Sequence, residues 1–148
     1  DGTVLSRRES TNYLIQDGGF LDLRVDGQPV VIDNGTSSIK VGIATEQAPS
    51  AVFASMVGKA KKQKVIIGTE VKNDTYIGDA AQQHRGILAI RHPITNGVVT
   101  NWDDIQLLWQ HAFDNELRIP SDSATVLLAD DPFNTLSNRE EMVQLLFE

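Results

Sequence analysis

Val30-Val31-Ile32-Asp33-Asn34-Gly35-Thr36-Ser37-Ser38-Ile39-Lys40-Val41-Gly42-Ile43-Ala44 is the stretch whose reading decides the fold. Val30-Val31-Ile32 is a short β-branched run and reads as a buried strand. Asp33-Asn34-Gly35-Thr36 reads as a tight turn, since these residues tolerate turn backbone conformations. Ile39 to Ala44 alternates and pairs back as the second strand of a hairpin. A turn of small residues exposes several backbone N–H groups toward one point, and such a concavity binds phosphate oxygens. Thr36, Ser37 and Ser38 add hydroxyl donors, and Lys40 adds a positive charge for an anionic ligand. Asp33, at the strand end, is placed to meet a divalent cation directly or through waters. The Gly-x-x-x-x-Gly-Lys spacing of the Walker loop is absent. Asp-Asn-Gly is also the commonest sort of hairpin turn. These residues alone leave a plain turn and a phosphate site both open.

Working outward, residues 1–29 differ in texture from the rest. Ser6 to Asn12 is polar. Tyr13-Leu14-Ile15, a turn signal at Asp17-Gly18-Gly19, and alternating Phe20 to Val25 read as a hairpin, as a tail docked as an added strand, or as a loose extension. Downstream, Ala51-Val52-Phe53 is a third strand candidate. Lys59 to Lys64 reads as a basic, solvated loop, followed by apolar Val65-Ile66-Ile67 and a polar stretch to Thr75. Ile87 to Ile90 is another strand candidate.

Two helices carry stronger signals. Asn101 caps the first, with Asp103 and Asp104 in its first turn. Trp102, Ile105, Leu108, Trp109, Ala112 and Phe113 recur at helical spacing and mark its buried face. Val126 to Ala129 reads as a buried strand closed by the turn Asp130-Asp131-Pro132. The last helix shows a capping-box pattern at Ser137 and Glu140, with Met142, Leu145 and Leu146 as its buried face. It runs to Glu148 without a glycine or proline to stop it, as in a chain cut from a longer one.

Composition narrows the classes. The chain has 148 residues, 41% of them hydrophobic and 22% charged, which is the composition of a globular domain. A net charge of −7 disfavours nucleic acid and anionic membrane surfaces as partners. With no cysteine there is neither a disulfide framework nor a thiolate metal site. No apolar run approaches the ~20 residues of a membrane span. Nothing near Asp1 resembles a secretory signal, and the expectation is a soluble, intracellular protein. His84, His92 and His111 are too scattered to suggest a metal cluster. His111 reads as structural, and Trp102 and Trp109 as core anchors.

Val31-Ile32-Asp33-Asn34-Gly35 followed by Ile39-Lys40-Val41-Gly42 resembles the opening phosphate loop of actins. Ala48 to Phe53, Tyr76-Ile77-Gly78-Asp79, Gln82 and Arg85 to Leu88 are similar as well. The run His92 to Asp104 is especially close, and it continues through Trp109, His111, Phe113, Asn115 to Arg118, Asn138-Arg139-Glu140 and Phe147-Glu148. The resemblance covers 30–148, with a one-residue insertion near Lys59 to Thr75.

The resemblance implies the α/β actin-like ATPase fold: a ribonuclease H-like core lobe with a small inserted lobe, present here as its N-terminal part. Residues 30–54 and 93–148 would form the core lobe. Residues 55–92 would form the inserted lobe with its subunit-contact loop, and 1–29 an N-terminal extension. It implies ATP or ADP with Mg²⁺ or Ca²⁺ as cofactor. Asp33 would organise the hydrated cation, Thr36 would stand near the terminal phosphate, and Lys40 would contact the phosphates. Gly35, Ser37 and Ser38 belong to the same phosphate-facing loop. No residue of this chain is assigned a catalytic role. The family is a slow ATPase whose second phosphate loop lies further along the chain, so these residues alone are expected to bind nucleotide weakly at most.

It implies a cytoplasmic, cytoskeletal protein that assembles into or onto filaments, with other actin-like subunits or actin-binding proteins as partners. The alternative is a non-polymerising structural subunit of a larger complex. Four departures from the family pattern stand out. Ser37 replaces a glycine and Ser38 an apolar residue. Asn96 stands where actins carry a histidine, often methylated. The Lys61 to Thr75 stretch, in the subunit-contact loop, is strongly altered and, with the long N-terminal extension, favours the alternative, while the conventional Asn96 to Arg118 stretch favours filaments.

Overall fold

The computed structural model describes residues 5–8, 11–16, 19–22, 28–61, 74–122 and 124–147. Near the start, β1 (Leu5–Arg8), β2 (Thr11–Gln16) and β3 (Gly19–Asp22) form an antiparallel sheet. The hairpin expected around Asp17-Gly18 is its β2–β3 pair, with Gln16 opposite Gly19. A strand in the polar stretch from Ser6 was not expected. Ladder bonds use backbone groups alone, so polar residues can form one. Leu23 to Val25, expected to continue the alternation, lie outside the described residues.

The sheet that positions the site runs β12-β4-β5-β6. β4 (Val30–Asn34) pairs antiparallel with β5 (Ser38–Ile43), and β5 with β6 (Ala51–Ala54). β12 (Val126–Ala129) lies parallel to β4, with Ala129 opposite Asp33. Val30 and Ile32 of β4, Ile39 and Val41 of β5 and Phe53 of β6 share one core with the helices. Asp33 and Asn34, expected in the turn, belong instead to β4, where they face Lys40 and Ile39. The turn proper begins at Gly35. β12 was expected to be buried, but only Val126 and Leu128, on the side of the last helix, are partly covered, and Leu127 on the opposite face is 60% exposed.

A second sheet centres on β7 (Val57–Ala60), flanked antiparallel by β8 (Thr75–Ile77) and β9 (Leu88–Arg91). The expected basic loop is therefore wrong at its start: Lys59 and Ala60 are strand residues. Lys59 is exposed near the end of β7 while Val57 and Gly58 are buried, so a basic side chain is accommodated there. Residues 62–73, including Val65 to Ile67 and the rest of the altered stretch up to Asn73, lie outside the described residues. Helix α1 (Gly78–Gln83), which the apolar spacing did not announce, packs against β6, β7 and β8.

The longest apolar face belongs to α2 (Trp102–His111). Its cap is the expected one: Asn101 Oδ1 accepts from the Asp104 N–H at 3.0 Å. Ile105 and Leu108 are fully buried, and Trp109, Ala112 and Phe113 continue the face. Asp104 is buried too, in an ion pair with Arg91 of β9 that ties α2 to the second sheet. The helix widens into a π-helical turn, Ala112–Leu117, ended by Arg118 in the left-handed conformation. The last helix, α3 (Leu136–Phe147), starts earlier than expected. Thr135, not Ser137, caps it, its Oγ1 accepting from the Asn138 N–H at 3.2 Å. Of the expected buried face, Met142 is buried and Leu145 and Leu146 are half-buried.

Between β9 and α2 a small hairpin, β10 (Ile94–Thr95) and β11 (Val98–Val99), turns through Asn96 and Gly97. Both turn residues have positive φ, 51° and 80°, the primed turn that suits two-residue hairpins.

Candidate functional site: three turns at the end of β4 and β12

All six residues expected at the site lie on the β4–β5 hairpin. Asp33 and Lys40 are cross-strand partners, and Lys40 Nζ donates to Asp33 Oδ2 at 2.7 Å. Both side chains are 46% exposed. They border an open depression of about 310 Å³, walled on its far side by Ala48 and Pro49. Asn34 holds the hairpin to α2: its Oδ1 accepts from Trp109 Nε1 at 3.1 Å.

The tip is shaped by Gly35. A Cβ there would stand 2.5 Å from the carbonyl oxygen of Ser38, so any larger residue would have to open the turn. The Ser37 carbonyl accepts from the Ser55 N–H at 3.0 Å, which ties the tip to the end of β6. Thr36 and Ser37 are exposed. Among the described residues, no group accepts from the N–H of Gly35, Thr36 or Ser37. Three successive backbone donors are thus available to a ligand, with the hydroxyls of Thr36, Ser37 and Ser38 beside them. That donor set suits phosphate oxygens.

One further turn bonds to this tip, and another lies against that turn. Gly97 N–H donates to Thr36 Oγ1 at 2.9 Å, joining the β10–β11 turn to the hairpin. On its other side Gly97 lies against Asp131: a Cβ at residue 97 would be 2.9 Å from Asp131 Oδ2. Asp131 follows β12, and because β12 and β4 are parallel they end at the same edge. In open α/β sheets, ligands bind outside that carboxyl edge.

Asp130, beside it, bonds to Arg139 at 2.6 Å and to Asn134 at 2.7 Å. Burial pushes its carboxyl up, but the Arg139 and Asn134 bonds together outweigh that and hold it below its ordinary value. Asp130 and Asp131 were expected to form a strand-terminating turn, and they do. Asp131 also accepts from the Phe133 N–H, at 2.8 Å on Oδ1.

Gly97 and Asp131 are the site residues that sequence reasoning missed. For Gly97 a signal was present: Asn-Gly between Ile94-Thr95 and Val98-Val99 is the pattern of a two-residue hairpin. For Asp131 there was none, because its place depends on the parallel pairing of distant strands. His111 behaves as expected, bonded to Asn115 and Glu116 and set edge-on to Phe53.

A fold with antiparallel and parallel strands in one sheet, helices on its core face, and a small-residue turn at the carboxyl edge defines an α/β protein built around such a turn. Compared with known families, residues 25–148 match the family model described as Actin. The chain belongs to the actin family. Among the described residues, no helix is long and apolar enough to cross a membrane.

Proposed function

We propose that this is a cytoskeletal, actin-like protein that binds ATP or ADP, with Mg²⁺ or Ca²⁺, against the Gly35–Ser38 turn, and that it assembles into or onto filaments. The supporting observation is the run of N–H groups at Gly35, Thr36 and Ser37 that no group among the described residues engages, at the edge where β4 and β12 end. Lys40 leaves Asp33 to meet the phosphates. The exchange is cheap, since an exposed ion pair contributes only about 0–1 kcal/mol. Asp33 then orients water on the cation. The Thr36 hydroxyl has one proton to give and two lone pairs. It can keep the bond from Gly97 while donating to a phosphate oxygen. The cation, when bound, neutralises phosphate charge.

Other actin-like subunits or actin-binding proteins are the proposed partners, and the cytoplasm the proposed location. The second reading, a non-polymerising subunit of a larger complex, is favoured by the altered Lys61 to Thr75 stretch. Sedimentation with and without Mg-ATP separates the two: pelleting that depends on nucleotide supports filaments, and none supports the second reading. Nucleotide binding itself is tested by calorimetric unfolding. A ligand bound only by the folded state raises the unfolding midpoint with concentration. Mg-ATP in the millimolar range is expected to raise it modestly, because the described residues supply one phosphate-facing loop. A midpoint that does not move overturns the nucleotide reading, and a micromolar affinity overturns the single-loop picture.

A further inference from the structure

Three carboxylates stand at or just beyond the edge where β4 and β12 end: Asp33, Asp130 and Asp131. Two have a cation beside them. Lys40 Nζ is 2.7 Å from Asp33, and Arg139 Nε is 2.6 Å from Asp130. The Asp131 carboxylate forms no ion pair among the described residues; Arg139 Nη2 reaches only the residue's backbone carbonyl, at 3.2 Å. Its Oδ1 accepts from the Phe133 N–H, and its Oδ2 faces Gly97. The N–H of that same Gly97 is held by Thr36 Oγ1. A carboxylate outside any ion pair is therefore fixed one residue away from the hydroxyl at the tip of the turn. Asp131 is half-buried, so its field is screened less than that of a fully exposed group.

We propose that Asp131 is a specificity-determining residue of this site, selecting cation-complexed nucleotide over the free, more highly charged form. This rests on the nucleotide reading above. Repulsion between like charges scales with the charge on the ligand. Asp131 therefore opposes a cation-free triphosphate more than one that arrives with its cation. Asp130 contributes less to this discrimination because Arg139 stays paired with it, while Asp33, which Lys40 leaves when nucleotide binds, acts through the water it orients on the cation. Asp131 acts across the Gly97 turn and touches no reacting atom.

The test is a pair of titrations of the whole chain, followed by amide NMR: one with ATP plus excess Mg²⁺, one with ATP plus a chelator. The variants are Asp131→Asn, which keeps the Oδ1 acceptor for Phe133, and Asp131→Glu, which keeps the charge. Asp131→Asn is expected to strengthen binding of free ATP about tenfold while changing Mg-ATP binding by less than about threefold. The gain should shrink as salt is added. Asp131→Glu should keep the wild-type ratio, which a purely structural role for the turn would not require. If wild type binds and Asp131→Asn leaves the ratio unchanged, or shifts both affinities equally, the assignment of Asp131 falls while the nucleotide reading stands. If neither form of ATP moves any amide in any variant, both fall together.

Discussion

Gly97 answers two demands at once. Its φ of 80° lies where side chains are rarely tolerated, and a Cβ would meet the Asp131 carboxylate. Gly97→Ala should destabilise the protein by about 1–3 kcal/mol, measured by urea unfolding. An unchanged midpoint would show that the turn is not held as described. Asp130 makes a pH-dependent contribution. Its carboxyl is pushed up by burial, yet held below its ordinary value by the bonds from Arg139 and Asn134. A carboxylate with a depressed folded value stabilises above its unfolded value, about 3.9, and that stability is lost as pH falls through the lower folded value. Asp130→Asn should therefore flatten the acid limb of a stability–pH profile and leave its shape near neutrality unchanged. An acid limb as steep as that of the wild type would contradict the pairing with Arg139.

Elements with a strong internal period were the most legible in the sequence. The α2 face, from Ile105 to Phe113, follows helical spacing, and the Asn101 cap uses a residue type chosen for that role. Asn101→Ala should cost about 1 kcal/mol, read by thermal or urea unfolding, with Asn101→Ser or Asn101→Asp largely restoring it. A neutral Asn101→Ala would mean that another group takes the Asp104 N–H. Caps in competing frames were less legible. Thr135 and Ser137 both precede the α3 apolar run; Asp130 bonds to Asn134 and Arg139 on either side of Thr135, and it is Thr135 that reaches the Asn138 N–H. Strand β7 was hidden by its lysine-rich flank, because charge pattern says little about a strand whose outward positions face water.

Across the whole molecule, the β4–β5 hairpin could be seen in the sequence because its two strands are adjacent and alternate around a turn. Its surroundings could not. Thr36 and the Gly97 it binds are 61 residues apart. Asp131 reaches the same edge only through the parallel pairing of β12 with β4. Parallel neighbours are joined by long crossovers, so no local pattern records which strands will meet. What resemblance to actins marked as one phosphate-facing loop becomes, once folded, three turns around one run of N–H groups. Amide NMR of the whole chain during titration with Mg-ATP tests that convergence most directly. The expected result is that the amides of Gly35, Thr36, Ser37 and Gly97 shift first and together, along one saturation curve. Shifts confined to Val126, Leu128, Met142 and Leu146, which line an apolar groove between β12 and α3, or none at the four turn amides, would contradict it.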